Sequence, residues 1–337
     1  MKRLIFILTC IGVNILWAKA PECVWSHARA SSDLLVYFDT VQAEKGMTRQ
    51  LWQTIEAGKK RAKQRNKESD DHDDFNIFNT EGRDIRGVLN FRIVTGNPLR
   101  MACAGTLATA GGKNASVSND CEALFSFLKP IGAKLDKTGT KKEPQWNLSV
   151  PATNGLGKIK MEMCPKNNNF LDFVAKYNMV GDPPPRENTK DALLAGKISA
   201  FRGEDWSFVL MGIGKKIAKL PMFGNTVRGM KVKHFLLSVS TLSIAVRING
   251  ESLIVSASFS FIKEDEAQKI SDDLKGIEDA LAKVAPEKTY LKSLRIRGEG
   301  NDVYADCELN LKESWAVLEA LDQEKTFNAE KKGENHE

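Results

Sequence analysis

The stretch from residue 242 to residue 261 constrains the fold most, because apolar and polar residues alternate along it on both sides of one turn. The turn is Asn249-Gly250, a dipeptide that favours the tight connection between two antiparallel strands. The apolar residues are Leu242, Ile244, Val246 and Ile248 before the turn, and Leu253, Val255, Ala257, Phe259 and Phe261 after it. This pattern predicts a β-hairpin with one buried face.

A helix and a second hairpin are predicted directly after this one. The helix is indicated by apolar residues at steps of three and four, which place them on one face. These residues are Ala267, Ile270, Leu274, Ile277, Leu281 and Val284. The second hairpin turns at Gly298-Glu299-Gly300-Asn301, between apolar alternations around Leu294 and Val303. Apolar spacing over residues 315–321 predicts a closing helix.

The same order of patterns appears earlier in the chain. Alternation over residues 89–107 surrounds a turn at Gly96-Asn97-Pro98, and a helical stripe follows. The stripe consists of Cys121, Leu124, Leu128, Ile131 and Leu135, each 146 residues before a member of the later stripe. The same spacing then pairs Leu148 with Leu294 and Met161 with Cys307. We therefore expect an internal duplication.

The fold class expected from these patterns is α+β, with two tandem repeats. Each repeat is expected to form a mostly antiparallel sheet from two hairpins, with helices packed on one face. The order within each repeat is hairpin, helix, hairpin, helix, preceded by a strand and a helix. The leading helices are expected near residues 47–63 and 205–218.

The boundaries of the repeats follow from the composition of the segments between them. The run Gly181-Asp182-Pro183-Pro184-Pro185-Arg186 cannot continue a helix and predicts a stiff linker. The expected segments are 1–20, a signal peptide; 30–180, the first α+β repeat; 181–190, the Pro-rich linker; 191–324, the second α+β repeat; and 325–337, a disordered polar tail.

Residues 1–20 have the layout of a secretory signal peptide. Two basic residues, Lys2 and Arg3, precede an apolar run that ends at Trp17, and small residues follow. The run is shorter than the roughly 20 residues of a membrane span. We expect an exported protein, periplasmic or extracellular, which contacts a membrane only if this segment stays uncleaved. Pro21 leaves the cleavage site open, after Ala18 or after Ala28.

The charge of the chain gives no argument for a nucleic-acid partner. Its 337 residues include 49 Lys and Arg and 43 Asp and Glu, a net charge of +6. Three of the basic residues lie within residues 1–20, so half of this excess belongs to the predicted signal peptide. A nearly neutral mature chain is not typical of proteins that bind the phosphate backbone.

Five cysteines follow the signal peptide, and no two of them form a C-x-x-C motif, which excludes a zinc ribbon and a thioredoxin-type site. Their pairing is left open by the sequence. Cys121 and Cys307 lie on apolar faces and are expected to be buried thiols, with a Cys103–Cys121 disulfide as the alternative. Cys164 ends the polar face of its strand and is the candidate for a reactive or intermolecular thiol, while Cys23 has no assigned role.

The usual catalytic motifs are absent from the sequence. It contains no H-E-x-x-H, G-x-S-x-G, Walker A or G-x-G-x-x-G motif. We therefore predict no catalytic, cofactor-binding or metal-ligating residue and no cofactor.

The expected function is an exported binding or envelope-associated module that is not an enzyme. Its partner would be a small molecule, a peptide or an envelope component, bound in a groove between the repeats. The alternatives are an exported hydrolase with carboxylates in that groove and a self-assembling structural subunit.

Overall fold

The fold is given by a computed structural model of the chain. The residues that it describes are 24–46, 48, 84–94, 99–110, 121, 125, 129, 132–140, 144–152, 157–167, 170–179, 194, 196–198, 201, 205–220, 227–284, 291–311 and 313.

Twelve strands in the described residues join in one antiparallel sheet. They are β1 (Leu34–Asp39), β2 (Asp84–Val94), β3 (Arg100–Ala110), β4 (Lys134–Gly139), β5 (Pro144–Val150), β6 (Ile159–Asn167), β7 (Phe170–Tyr177), β8 (Phe208–Ile213), β9 (Val239–Asn249), β10 (Ser252–Phe261), β11 (Leu291–Glu299) and β12 (Asp302–Asn310). Their order across the sheet is β11-β12-β10-β9-β8-β1-β2-β3-β7-β6-β5-β4. The fold is α+β, with a large antiparallel sheet and few helices.

The longest helix in the described residues is the one predicted after the first hairpin. The helices are a 3₁₀ helix (Val24–His27), α1 (Thr40–Gly46), α2 (Gly214–Ile217), α3 (Val227–Ser238) and α4 (Glu264–Val284). None of these has both the length and the apolar character that a helix needs to cross a membrane.

Both hairpins predicted in the C-terminal half are confirmed. β9 and β10 meet where Asn249 faces Ser252, and the intervening Gly250 has a φ of +66°. A residue without a Cβ atom adopts this region at no steric cost. β11 and β12 meet at the second predicted turn, where Gly300 has a φ of +57°. Local turn chemistry therefore determines both connections.

The two halves of the chain share one sheet, rather than the separate sheets expected for two repeats. The junction is the antiparallel pair of β1 and β8, in which Leu34 lies opposite Gly212 and Phe38 lies opposite Phe208. A strand at a sheet edge presents a row of unpaired backbone N–H and C=O groups. Pairing β1 with β8 satisfies both rows at once.

The helix expected at residues 205–218 is wrong for residues 205–213, of which 208–213 form β8, and is confirmed only for Gly214–Ile217. Val209 and Met211 are fully buried on one face of this strand, and Leu210 packs on the other. A strand buried on both faces is a continuous apolar run, which periodicity does not distinguish from a buried helix.

The first half also departs from the predicted order of elements. Leu135 was expected at the end of the helix that contains Cys121, but it lies in β4 because Gly132 turns the chain with a φ of +86°. Four strands, β4 to β7, then occur in place of one hairpin and a closing helix.

The residue pairing expected for the second hairpins is wrong as well. In the sheet, one strand, β7, separates β6 from β3, and one strand, β12, separates β11 from β10. The strand of the first half that occupies the position of β11 is therefore β6. Leu148 lies in β5, so it does not occupy the place of Leu294 in β11. Met161 lies in β6, whereas Cys307 lies in β12.

Several predicted segments lie outside the described residues. They are the signal peptide at 1–20, the leading helix at 47–63 apart from Thr48, the linker at 181–190, the closing helix at 315–321 and the tail at 325–337.

The two faces of the sheet pack against different elements. One face, here called the helix face, is covered over the C-terminal half by α3 and α4, where Leu236 and Ala267 pack with Val303. The other face, here called the cleft face, is covered at the β1–β8 junction by residues from 24–30 and 194–206. The helices α3 and α4 therefore cover the helix face over the C-terminal half of the sheet. The N-terminal 3₁₀ helix lies on the cleft face instead.

Candidate functional site

Asn90 holds the N-terminal segment, residues 26–32, against the cleft face. Its Oδ1 accepts hydrogen bonds from the Arg29 backbone N–H at 2.8 Å and from Ser32 Oγ at 3.1 Å. Its Nδ2 donates to the carbonyl oxygens of His27 at 3.0 Å and Ala104 at 3.3 Å. All four hydrogen-bonding positions of this buried amide are therefore used, which fixes the segment over β2 and β3.

A cleft of about 350 Å³ opens between this segment and strands β3, β6 and β7. Polar side chains from both walls line it, namely Ser26, His27, Arg29, Glu162, Cys164 and Asp172. Arg29 and His27 lie on one wall, and the two carboxylates lie on the other. The cleft therefore presents groups of opposite charge to whatever enters it.

Asp172 is the best-fixed charged group in the cleft. Its Oδ1 accepts a hydrogen bond of 2.7 Å from Thr106 Oγ1, and the two residues face each other across β3 and β7. Cys164 lies opposite Asp172 on the other side, in β6. A carboxylate whose orientation is already set loses less conformational freedom when a ligand binds to it.

A similar hydroxyl–carboxylate pair occurs in the C-terminal half, outside the cleft. Ser256 Oγ donates to Asp306 Oδ1 at 2.7 Å, and these residues face each other across β10 and β12. Arg297 lies 3.3 Å from the second oxygen of Asp306. This pair has the same chemistry as Thr106–Asp172 and provides a matched control for it.

The junction between the halves is not where the described cleft lies. On the cleft face, Val24, Leu194 and Trp206 pack in one cluster with Leu35 and Met211 of the two central strands. These side chains fill the position expected for a groove between repeats. The cleft lies to one side of it, over β3, β6 and β7.

No two of the four cysteines in the described residues are joined by a disulfide bond. The alternative of a Cys103–Cys121 disulfide is wrong, because Cys103 packs with Phe91 in one cluster and Cys121 with Trp146 in another. Burial in apolar surroundings strongly raises the pKa of Cys103, which makes its thiol unreactive.

The other cysteines differ in their surroundings. Cys307 is half-buried rather than fully buried, and partial burial raises the pKa of its thiol. Cys164 is half-exposed and lines the cleft, which fits the candidate for a reactive thiol. Cys23 lies outside the described residues.

The sequence contained a weak signal for this site that its apolar patterns concealed. Thr106 and Asp172 are polar residues within mostly apolar strands, and a buried polar side chain such as Thr106 needs a partner. Their partnership spans 66 residues, so it depends on the pairing of β3 with β7. Within the described part of the chain, no group of three His, Cys, Asp or Glu residues is placed to hold a metal ion.

Comparison with known proteins gives only distant similarity. No family model and no curated protein matches the chain. Crystal form IV of TP0453 is similar with a TM-score of 0.40 and 11% identity, over 88% of this chain and 98% of that one. Crystal form I of TP0453 is similar with a TM-score of 0.37 and 10% identity, over 90% of this chain and 99% of that one.

Proposed function

We propose that the chain is an exported or envelope-associated binding module and that its cleft binds a small polar ligand. The observation that carries the proposal is the cleft of about 350 Å³, whose outer wall is held by Asn90 and whose inner wall contains the oriented carboxylate of Asp172. Export rests on the layout of residues 1–20. A concave site with a few fixed polar groups is the usual form of a small-molecule site.

The charges of the cleft indicate the class of ligand. Asp172 and Glu162 favour amine and hydroxyl donors, while Arg29 favours an acidic or other accepting group. The ligand would therefore carry both kinds of group, as an amino acid or a short peptide does.

The proposal includes an internal duplication, which the order of the strands supports. Outward from the central pair, the strands run β1-β2-β3-β7-β6 on one side and β8-β9-β10-β12-β11 on the other. The hairpin of β4 and β5 is then an addition at one edge.

The pairing registers support the duplication independently. When the first residue of β1 is aligned with the first residue of β8, the observed pairings align Asp84 with Val239 and Arg100 with Ser252. They also align Phe170 with Asp302. Each of these is the first residue of its strand. On this basis residues 30–180 and 191–324 are the two repeats, joined by the linker at 181–190.

The cleft is tested by ligand binding to the full chain and two variants. Native mass spectrometry of the protein isolated from its own host would reveal a bound molecule, and a thermal-shift screen of amino acids and short peptides would provide a ligand if none remains bound.

Asp172→Asn should then weaken binding about tenfold or more, because it removes the charge from a hydrogen-bonding group. Asp306→Asn should leave binding unchanged. Equal affinity of the wild type and Asp172→Asn, or no ligand in either screen, would contradict the proposal.

A further inference from the structure

A lysine and two serines form a hydrogen-bonded chain on the cleft face of the C-terminal half, outside the cleft. Lys197 Nζ donates a hydrogen bond of 2.8 Å to Ser258 Oγ. Ser258 Oγ in turn lies 2.6 Å from Ser243 Oγ, and either serine can be the donor in that bond. Ser258 and Ser243 face each other across β10 and β9, while Lys197 comes from the segment that covers the central strands.

The surroundings of Lys197 are unusual for a lysine. Its amine is hydrogen-bonded to a serine hydroxyl, whereas buried lysines are usually paired with carboxylates. Burial lowers the pKa of its amine, and the charge of Asp302 opposes this shift only in part. Among the described residues Lys197 therefore has a partner that can give it a proton but cannot neutralise its charge.

The serines are placed to form a directed chain. Ser243 is only 1% exposed, so its hydroxyl is held in place beside Ser258 on the neighbouring strand. Ser258 is half-exposed and lies beside Tyr304, its cross-strand neighbour in β12. When Lys197 is neutral, Ser258 donates to its amine and Ser243 donates to Ser258. This arrangement places a reachable hydroxyl between a base and a supporting donor.

We propose that Ser258 is a nucleophile for acyl transfer, with Lys197 as its general base and Ser243 as a positioning residue. A nucleophile and a base within hydrogen-bond distance are the diagnostic arrangement for this chemistry, and lysine serves as the base in some serine hydrolases. Here the third group, Ser243, orients the nucleophile. The substrate class is a small ester or another activated acyl compound. This activity goes beyond the proposed binding role and departs from the expectation that the chain is not an enzyme.

The reaction balances with these three groups and water. Ser258 Oγ forms a bond to the carbonyl carbon while its proton passes to the neutral amine of Lys197. The bond from that carbon to the leaving oxygen breaks, and the leaving oxygen takes the proton from Lys197. Water then attacks the acyl group on Ser258, with Lys197 again accepting a proton and returning it to Ser258 Oγ as the acid is released.

A fluorophosphonate probe tests the proposal, because it forms a phosphorus–oxygen bond to an activated serine and releases fluoride. The full chain should acquire one adduct, and peptide mass spectrometry should locate it at Ser258. Ser258→Ala should remove the adduct, and Lys197→Met should slow its formation about a hundredfold. Ser256→Ala is the matched control, since Ser256 lies on the same strand and face but bonds to Asp306; it should be labelled at the wild-type rate.

Two results would overturn the proposal. One is the absence of any adduct at Ser258 in the wild type, or equal adducts at several serines. The other is labelling of Lys197→Met at the wild-type rate, which would remove the base from the mechanism. Circular dichroism of each variant shows whether it is folded, and the wild-type location of the adduct decides the first result without any variant. No residue of the cleft takes part in the labelling of Ser258, so failure of the binding proposal is distinguishable from failure of this one.

Discussion

At the scale of single residues, polar side chains within the sheet orient one another through hydrogen bonds. Asn90 uses all its hydrogen-bonding capacity inside the protein and therefore acts as a clamp. Thr106 and Ser243 each orient a neighbouring group, Asp172 in one half and Ser258 in the other. The oriented group is a carboxylate in the cleft, and over β10 it is a hydroxyl that is also hydrogen-bonded to Lys197.

The protonation of Lys197 provides a test at this scale. Because burial disfavours its charged form, we expect the pKa of the Lys197 amine to lie below the value of about 10.4 that is usual for lysine. Asp302 favours the charged form, so Asp302→Asn should lower the pKa of Lys197 further. The measurement is the ¹³Cε chemical shift of Lys197 as a function of pH. Asp306→Asn is the control and should have little effect; a pKa that rises in Asp302→Asn would contradict this account.

At the scale of elements, the packing of α4 on β11 depends on one glycine. A Cβ atom at Gly298 would lie 2.6 Å from Ser271 Oγ and 3.0 Å from Ser271 Cβ. Ser271 is a fully buried residue of α4, so it has little room to move away. The helix is therefore close to this strand because position 298 has no side chain.

Two glycine-to-alanine substitutions should change stability in opposite directions. Gly298→Ala should lower the free energy of unfolding by about 1–3 kcal/mol, the usual cost of overpacking a buried contact. Gly276→Ala should raise it by up to about 1 kcal/mol, because Gly276 is inside α4 with nothing within 4 Å of an added Cβ and alanine has the higher helix propensity. Urea unfolding measures both. Equal effects of the two substitutions would show that the contact with Ser271 does not hold α4 at this distance.

At the scale of the whole molecule, the β1–β8 pair joins the two halves in one sheet, and we expect them to unfold cooperatively. Both strands are central and their side chains are buried on the cleft face in one cluster that includes Leu35, Val209 and Ala245. Separating the halves would expose this cluster and break the ladder between the two strands. Either half alone would then lose both apolar burial and backbone hydrogen bonds.

Unfolding should therefore occur in a single transition. Tryptophan fluorescence and far-ultraviolet circular dichroism should give the same midpoint in urea, as is expected for a two-state protein. Amides of β1 and β8 should exchange only through global unfolding, because they lie at the centre of the sheet. Two separate midpoints would show that the repeats are independently stable and that the junction contributes little.

The sequence by itself determined the features that depend on neighbouring residues. The turns at Asn249-Gly250 and Gly300, the strands beside them and the amphipathic helix α4 were all predictable, since turn geometry and periodicity act within about 20 residues. The tertiary structure decided which strands pair. It made residues 208–213 a strand by burying them on both faces, and it joined the two halves in one sheet.

The candidate sites, like the pairing of distant strands, were decided by the tertiary structure, because their residues are far apart in the sequence. Thr106 and Asp172 are 66 residues apart, and Lys197 and Ser258 are 61 apart. No local pattern marks either pair, because each side chain is an ordinary polar residue until the sheet brings its partner within hydrogen-bond distance. Local signals in the sequence thus determined most of the elements in the C-terminal half, and the long-range pairing of strands decided where those elements could form a site.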